Sequence, residues 1–278
     1  MPEATPQPVP VDSILHRHYG DWRGLLVGPG TGILQLMHPG LGAGVIQHSR
    51  FFDEPFERVF RSLPPIIESK VGGAAAPAAA EKIREYHRDI KGVDAHGNRY
   101  HALDPEIWFW AHATFVMADM TWMNLYHHPL SRSEREEIWE AGKTWYRLYG
   151  VSDRPMPDTL DEFDAYWEHM CEHVLEATEA AMWSVGAFDH PERTPLPGVP
   201  LWLWRLVGPR FLAEQKLGTA AMLSPVVRDK LGLTFTDRDR RRFAARVRFH
   251  RWTRPAVNPV VMFVLGRLPY GRAQVARK

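Results

Sequence analysis

Cysteine is almost missing from this sequence, since Cys171 is the only one among 278 residues. One thiol cannot form a disulfide within the chain, and it cannot supply a cysteine-based zinc site or a cysteine-held iron–sulfur cluster. The scarcity fits a reducing compartment, so a cytoplasmic location is expected. A surplus of charge is missing too, because 34 basic and 33 acidic residues leave a net charge of +1. That balance argues against nucleic acid as the main partner.

Long apolar runs are also missing. No window of 18 uninterrupted apolar residues occurs, so no transmembrane helix is predicted. The first residues show no basic segment followed by an apolar run, which argues against a secretory signal. Because they are rich in proline, residues 1–12 are expected to form a disordered arm. Residues 13–278 are expected to form a single helical domain, and the Pro-rich stretch 190–200 is the best candidate for an internal boundary.

Runs that alternate apolar and polar residues are missing as well, which predicts an all-α fold. Residues 28–32 read Gly-Pro-Gly-Thr-Gly, lack the lysine of a P-loop and are predicted to form a turn. Pro39 is predicted to kink or restart the helix around it, and Pro64-Pro65 to break theirs. A capping pattern at Thr159 and Glu162 predicts one long helix that runs to about Val185.

Tryptophan, by contrast, is plentiful: the chain has 11, which suggests large apolar contacts or a pocket for a flat ligand. One stretch combines aromatic residues with a clear helix start, because Asp104 is a candidate N-cap and Pro105 and Glu106 suit the first turn. The residues that follow are apolar almost all round, which predicts a buried helix. His112 lies in its middle. A buried neutral imidazole needs a partner, which is either a metal or a hydrogen bond inside the core.

The preceding helix carries Arg84, His87 and Arg88 three and four residues apart, so they share one face. Facing His112, they would form a polar pocket in an apolar setting, although an exposed basic face explains the spacing equally well. Two further histidines, His38 and His48, flank a glycine-rich segment. Ten residues of helix would put them on opposite sides, so capping or pocket-lining roles are expected rather than a shared metal. The glycines between them indicate close packing by a flat cofactor or a neighbouring helix.

Two other patterns provide alternatives. His169-Met-Cys-Glu172-His173 reads as His-x-x-Glu-His, which puts two histidines on one helix face beside a carboxylate base and suits a zinc hydrolase. It lacks an evident third ligand. The stretch 238–252 interleaves arginine with phenylalanine and tryptophan, as in a helix on an anionic membrane surface. Because its arginines are not segregated from its aromatics, peripheral membrane contact is not favoured, and the segment is expected to pack against the His112 helix.

Several segments together resemble the DUF2236 family, also called the MpaB/rubber-oxygenase catalytic-domain family, which includes the latex-clearing proteins. In the family's order, they span about residues 25–160. They read Leu34-Gln-Leu-Met-His38-Pro39, Gly44-Val-Ile-Gln-His48-Ser49, Arg84-x-x-His87, and Gly97-x-x-Tyr100-x-Ala102-x-Asp104-Pro105-x-x-x-x-Trp110-x-His112-Ala-Thr114. The resemblance implies a mainly helical fold that encloses one non-covalent haem b. The rubber oxygenases carry a threonine directly after the Arg/His pair, where this chain has Arg88, and this departure leaves the substrate open.

The resemblance also implies roles for single residues. His112 would be the proximal iron ligand, and Arg84 and His87 would be the catalytic pair of the distal pocket. The residues expected to contact the cofactor are His112, Arg84, His87, Arg88, Trp108, Phe115, His38 and His48. The sequence thus predicts a haem-dependent oxygenase that acts on an apolar small molecule and O2. A zinc hydrolase and a non-enzymatic helical protein that binds an apolar ligand remain the alternatives, and the oligomeric state is not indicated.

Overall fold

A computed structural model describes residues 6–50, 52 and 55–267, without the side chains of 56–58 and 263–267. Over these residues the protein is all-α, as predicted, and its strands form one small hairpin. The helices are α1 (Ile14–Arg17), α2 (Gly28–Leu36), α3 (Pro39–His48), α4 (Pro55–Val71), α5 (Ala76–His87), α6 (Pro105–Tyr126), α7 (Arg132–Arg147), α8 (Leu160–His169), α9 (Glu179–Ala187), α10 (Leu201–Met222), α11 (Pro225–Lys230) and α12 (Asp237–Arg267). The hairpin pairs β1 (Lys91–Val93) with β2 (Arg99–His101) in antiparallel register. None of the described helices is both long and apolar enough to cross a membrane.

Helix α6 is the centre of the fold. Its N-terminus forms as predicted, because the Asp104 carboxylate accepts a hydrogen bond from the backbone N–H of Glu106 at 2.9 Å and Pro105 occupies the first turn. Residues on all its sides are buried, and it contacts α2, α7, α12 and the 3-10 helix Trp22–Val27. An apolar helix surrounded in this way gains stability from burial on every face. A polar side chain among the buried residues of α6 therefore lies in a largely water-free interior.

The turn predicted at residues 28–32 is wrong, because these residues form the first half of α2. Pro29 lies in the first helical turn, where a missing N–H costs nothing. Gly30 has a packing role: a Cβ there would lie 2.2 Å from the sulfur of Met222 on α10. Gly30 therefore permits close packing of α2 against α10, which offsets its low helix propensity.

The restart predicted at Pro39 is confirmed, because α2 ends at Leu36 and α3 begins with Pro39. The glycines of α3 meet protein neighbours: a Cβ at Gly40 would lie 2.8 Å from Ile107, and one at Gly42 would lie 3.0 Å from the Thr178 hydroxyl. Close packing between elements of the chain therefore accounts for these glycines.

Two predicted helix boundaries are wrong. Helix α4 continues through Pro64-Pro65, where packing along α5 overrides the local preference of proline. The long helix expected from Thr159 ends at His169 and is followed by the π-helix Met170–Val174. Lys230 explains this end, because its Nζ donates to the carbonyls of Cys171, Glu172 and Leu175, each at 2.8 Å. A cation from α11 thus satisfies the last carbonyls of the segment.

The chain termini pack against this core as far as the structure describes them. Val9, within the proline-rich arm, is only 2% exposed, and residues 1–5 lie outside the described part. Helix α12 packs on α6, where the ring of Phe243 meets Tyr126 and the Arg251 guanidinium donates to the Leu125 carbonyl at 2.7 Å. The arginine-rich stretch therefore rests on the helix that carries His112, as expected.

Candidate functional site

His112 is buried inside the helix bundle, with only 3% of its surface exposed. Its Nε2 lies 2.9 Å from the carbonyl oxygen of Gly142. Because a carbonyl only accepts, Nε2 carries the proton and Nδ1 carries a lone pair. Within the described residues, Nδ1 is buried and has no hydrogen-bond partner. Burial lowers the pKa of His112 to about 3, so the ring is neutral at physiological pH. A neutral imidazole oriented by a backbone carbonyl, with its other nitrogen unprotonated, is the form that binds a metal.

The approach of α7 to His112 depends on a glycine. A Cβ at Gly142 would lie 2.8 Å from a methyl carbon of Val116, which is closer than carbon atoms tolerate without movement. Since Val116 is buried and β-branched, it has little freedom to give way. The missing side chain therefore lets the α7 backbone come within hydrogen-bond distance of the imidazole.

An aromatic wall from α7 and the turn after it surrounds His112. The ring centroids of Trp145, Tyr146 and Tyr149 lie 4.7, 5.2 and 5.9 Å from the imidazole centroid. Burial raises the pKa of the Tyr149 phenol above its ordinary value, so Tyr149 stays neutral. Phe115, a predicted cofactor contact, extends the wall by packing against Trp145 at 5.9 Å. The site is thus apolar and water-poor, which strengthens any charge interaction inside it.

Two predicted residues of α5 reach the same wall. The Arg84 guanidinium donates to the Tyr149 carbonyl at 3.2 Å. The His87 ring meets Trp108 edge-on at 5.2 Å, and Trp108 in turn meets Tyr149 at 5.4 Å. The structure therefore brings Arg84, His87, Trp108 and His112 together around one tyrosine. These contacts connect α5, α6 and the end of α7.

Three other predicted contacts lie elsewhere. Arg88 is exposed and pairs with Glu85 at 2.6 Å. His48 is also exposed, and its Nε2 donates to the Lys91 carbonyl at 3.0 Å. His38 precedes α3, where burial lowers its pKa. Helix α2 joins this flank to α6 through a hydrogen bond from Gln35 to the Ala111 carbonyl, on a side of α6 that His112 does not share.

A buried ion pair near His112 was missed by the sequence reasoning. The Lys70 ammonium lies 2.9 Å from both carboxylate oxygens of Asp119, and both side chains are largely buried. Lys70 also lies over the Trp145 ring at 5.6 Å, and the Trp145 indole donates to the Ser69 hydroxyl at 2.9 Å. The available signal was Asp119 itself, two helical turns after His112 on the same face of an apolar helix. A buried carboxylate there requires a counter-ion.

The zinc pattern does not assemble into a ligand set. His169 and His173 lie with ring centroids 5.2 Å apart, and both are exposed. Across the described part of the chain, no group of three or more His, Cys, Asp or Glu residues is arranged to hold a metal ion. Cys171 is buried, which raises the pKa of its thiol to about 11. A thiol that stays protonated at neutral pH is a poor nucleophile.

A separate cavity of about 310 Å³ lies between α6, α7 and α10. Its lining is rich in methionine and consists of Met117, Met120, Thr121, Asn124, Leu125, Leu130, Arg135, Ala221 and Met222. Neither His112 nor any residue of its aromatic wall contributes to this lining. An apolar ligand would fit here only as an occupant distinct from one bound at His112.

Comparison with known proteins defines the class. The family model described as "ER-bound oxygenase mpaB/B'/Rubber oxygenase, catalytic domain" matches residues 16–252. The match covers most of the chain, so the protein belongs to this family, as its motifs predicted. The helical bundle around His112 is therefore an oxygenase catalytic domain. No curated protein and no solved structure gave a match.

Proposed function

We propose that this protein is a haem b-dependent oxygenase that oxidises an apolar organic substrate with O2, with His112 as the iron ligand. The observation that carries the proposal is the state of His112, which is buried and neutral. Its Nε2 donates to the Gly142 carbonyl, and its Nδ1 has no hydrogen-bond partner among the described residues. Membership of an oxygenase family supplies the reaction class. A cytoplasmic location, expected from the single cysteine, belongs to the same proposal.

The surroundings of His112 fit a flat, anionic cofactor. Trp108, Phe115 and Tyr149 offer aromatic surface, and Arg84 offers a cation for a carboxylate side group. Binding would require the rings packed on His112 to turn aside. The Arg84 contact is a hydrogen bond from its side chain to a carbonyl, and the His87 contact is a ring contact, so breaking both would cost no backbone–backbone hydrogen bond. When bound, haem supplies the electron transfer and oxygen chemistry that side chains lack.

The residues of the chain have distinct roles in this proposal. The Gly142 carbonyl fixes the His112 tautomer and the orientation of its ring. Arg84 is permanently charged and would supply N–H donors to negative charge that develops beside a bound cofactor. The Nδ1 of His87 donates to the Ile83 carbonyl at 2.8 Å, so in this proposal its Nε2 would be the nitrogen that transfers a proton. The aromatic wall excludes water from the reaction.

The decisive experiment is haem content and the visible absorption spectrum of purified protein. We expect the wild type to be red and His112→Ala to lose haem while it keeps its helical circular dichroism. His250→Ala is the matched control, because His250 also has a buried, unpartnered Nδ1 and a pKa lowered by burial to about 4, but it lies on α12. Full haem occupancy and an unchanged spectrum in His112→Ala would contradict the proposal.

The roles of Arg84 and His87 require a second set of variants. We expect Arg84→Ala and His87→Ala to retain haem and to shift its spectrum, because both act beside the cofactor rather than as its ligand. Arg88→Ala is the control, since Arg88 directly follows α5 and is exposed. If Arg84→Ala and His87→Ala both lose haem or unfold, the pair has a structural role.

Elemental analysis of the same preparations separates the alternatives. We expect iron in proportion to haem. Stoichiometric zinc that is lost in His173→Ala would favour the hydrolase, and a colourless, metal-free protein would favour the binding protein.

A further inference from the structure

The N-terminal half of α10 presents an apolar face to solvent. Leu201, Trp202 and Leu206 are 60%, 70% and 71% exposed. The opposite side of the helix is buried through Trp204 and Leu212, each 3% exposed. Trp204 is fixed further by its indole N–H, which donates to the Pro191 carbonyl at 2.8 Å. The outward orientation of Trp202 and Leu206 is therefore imposed by the packing of the helix.

Arginines flank this apolar face on both sides. At 100° per residue, Trp202, Leu206, Pro209 and Ala213 share one stripe, all of them exposed. Arg205 and Arg210 project to either side of the stripe and are also exposed. We define these six residues as the α10 outward face.

The flanking arginines differ from most arginines of the chain. Arg205 and Arg210 make no hydrogen bond and no ion pair with any residue that the structure describes, whereas Arg242 and Arg246 on α12 both reach Glu214. The first three turns of α10, from Leu201 to Phe211, contain no acidic residue. The face therefore combines exposed apolar groups with uncompensated positive charge.

We propose that the α10 outward face docks on an anionic lipid surface. A helix with tryptophan and leucine outward and arginine at both edges matches the chemistry of a bilayer interface, where apolar side chains enter the acyl boundary and arginines meet phosphate. Two copies docked through this face would bring their uncompensated arginines together, and like charges placed opposite each other cost free energy. A second copy of the chain is therefore the less favoured occupant.

The test is co-sedimentation of the purified protein with vesicles of phosphatidylcholine alone or mixed with phosphatidylglycerol, at low and high salt. We expect binding to the anionic vesicles that weakens with salt. Trp202→Ser/Leu206→Ser should reduce the partition coefficient at least tenfold, because it removes the inserted groups. Arg205→Gln/Arg210→Gln should reduce it about fivefold per arginine on anionic vesicles and leave binding to neutral vesicles unchanged.

Trp252→Ser is the matched control, because Trp252 is 80% exposed but lies on α12. It should bind vesicles like the wild type, and all variants should melt at the wild-type temperature because the changed side chains are exposed. Absence of wild-type binding would overturn the proposal, as would an equal loss in Trp252→Ser. If the wild type forms a dimer and Trp202→Ser/Leu206→Ser dissociates it, the α10 outward face binds a second copy of the chain instead of a lipid surface. The assay requires no haem and no activity, so its outcome is independent of the proposed oxygenase function.

Discussion

Replacing Gly142 by alanine tests how tightly α6 and α7 are held together at His112. The added Cβ would meet Val116 at 2.8 Å and 3.3 Å, and Val116 is 1% exposed. Overpacking a rigid core typically costs ~1–3 kcal/mol. Against this, alanine in a helix interior is favoured over glycine by ~0.8–1.0 kcal/mol. Because the two terms oppose each other, the absolute change in stability is small and a matched glycine is needed.

Gly32 provides that match. It lies inside α2, and a Cβ there would meet nothing within 4 Å. Gly32→Ala should therefore gain the helix propensity without the clash, and Gly142→Ala should be less stable than Gly32→Ala by ~1–3 kcal/mol. Urea unfolding followed by circular dichroism measures the difference, and thermal melts should separate the two by about 2–4 °C per kcal/mol. Gly142→Ala should also bind haem more weakly, because a displaced α7 moves the carbonyl that orients His112. Equal stability of the two variants would refute the argument that Gly142 sets the helix spacing.

Two further predictions concern charge. Asp119→Asn should destabilise the fold by ~3–5 kcal/mol in urea unfolding, because it leaves the Lys70 cation buried without its counter-ion. The double variant Lys70→Met/Asp119→Leu removes both charges and should recover most of that loss. Equal losses of stability in the single and the double variant would refute this reasoning. The pKa of exposed His96 is raised by its hydrogen bond to Glu176 at 2.8 Å, so an NMR titration should place it above 6.5 and Glu176→Gln should return it there. Since the folded-state pKa of His96 is raised, its pairing with Glu176 stabilises the protein below about pH 6.5, and this contribution is lost as the pH rises through the folded-state pKa. A His96 pKa that is the same in Glu176→Gln and in the wild type would contradict the prediction.

Local patterns predicted the elements whose ends are set by neighbours in sequence. Helix α6 starts where its capping residue Asp104 placed it, and the Thr159–Glu162 capping box forms as expected. The predicted boundaries of helices and turns were wrong where a contact between residues distant in sequence decided the structure. The helix expected from Thr159 to Val185 ends early because Lys230 reaches the carbonyls near its end from across the fold. Helix α2 includes Gly30, where Met222 of α10 packs close. Helix α7 shows the same limit on a smaller scale: its capping box forms at Ser131 and Glu134, and the same pattern also fits Ser133 and Glu136, two residues later.

Some features of the candidate site could likewise be predicted from local sequence, while others depend on contacts between distant residues. Spacing put Arg84 and His87 on one face of α5, and the apolar surroundings of His112 predicted its burial, because both features follow from helix periodicity. Which nitrogen of His112 is left unpartnered depends on the Gly142 carbonyl, thirty residues away. The Lys70–Asp119 ion pair joins α4 to α6. The two residues lie far apart in the sequence, so no local pattern predicts their contact.

The sequence by itself therefore determined the all-α class, the family and the buried histidine, because composition, periodicity and motifs are local properties of the chain. Only the tertiary structure decided the tautomer of His112, its aromatic wall and its separation from His38 and His48. It also decided that Trp202 and Leu206 are exposed while Trp204 is buried. A pattern of apolar residues all round a helix does not distinguish its sides, and that choice is made by the elements that pack against it.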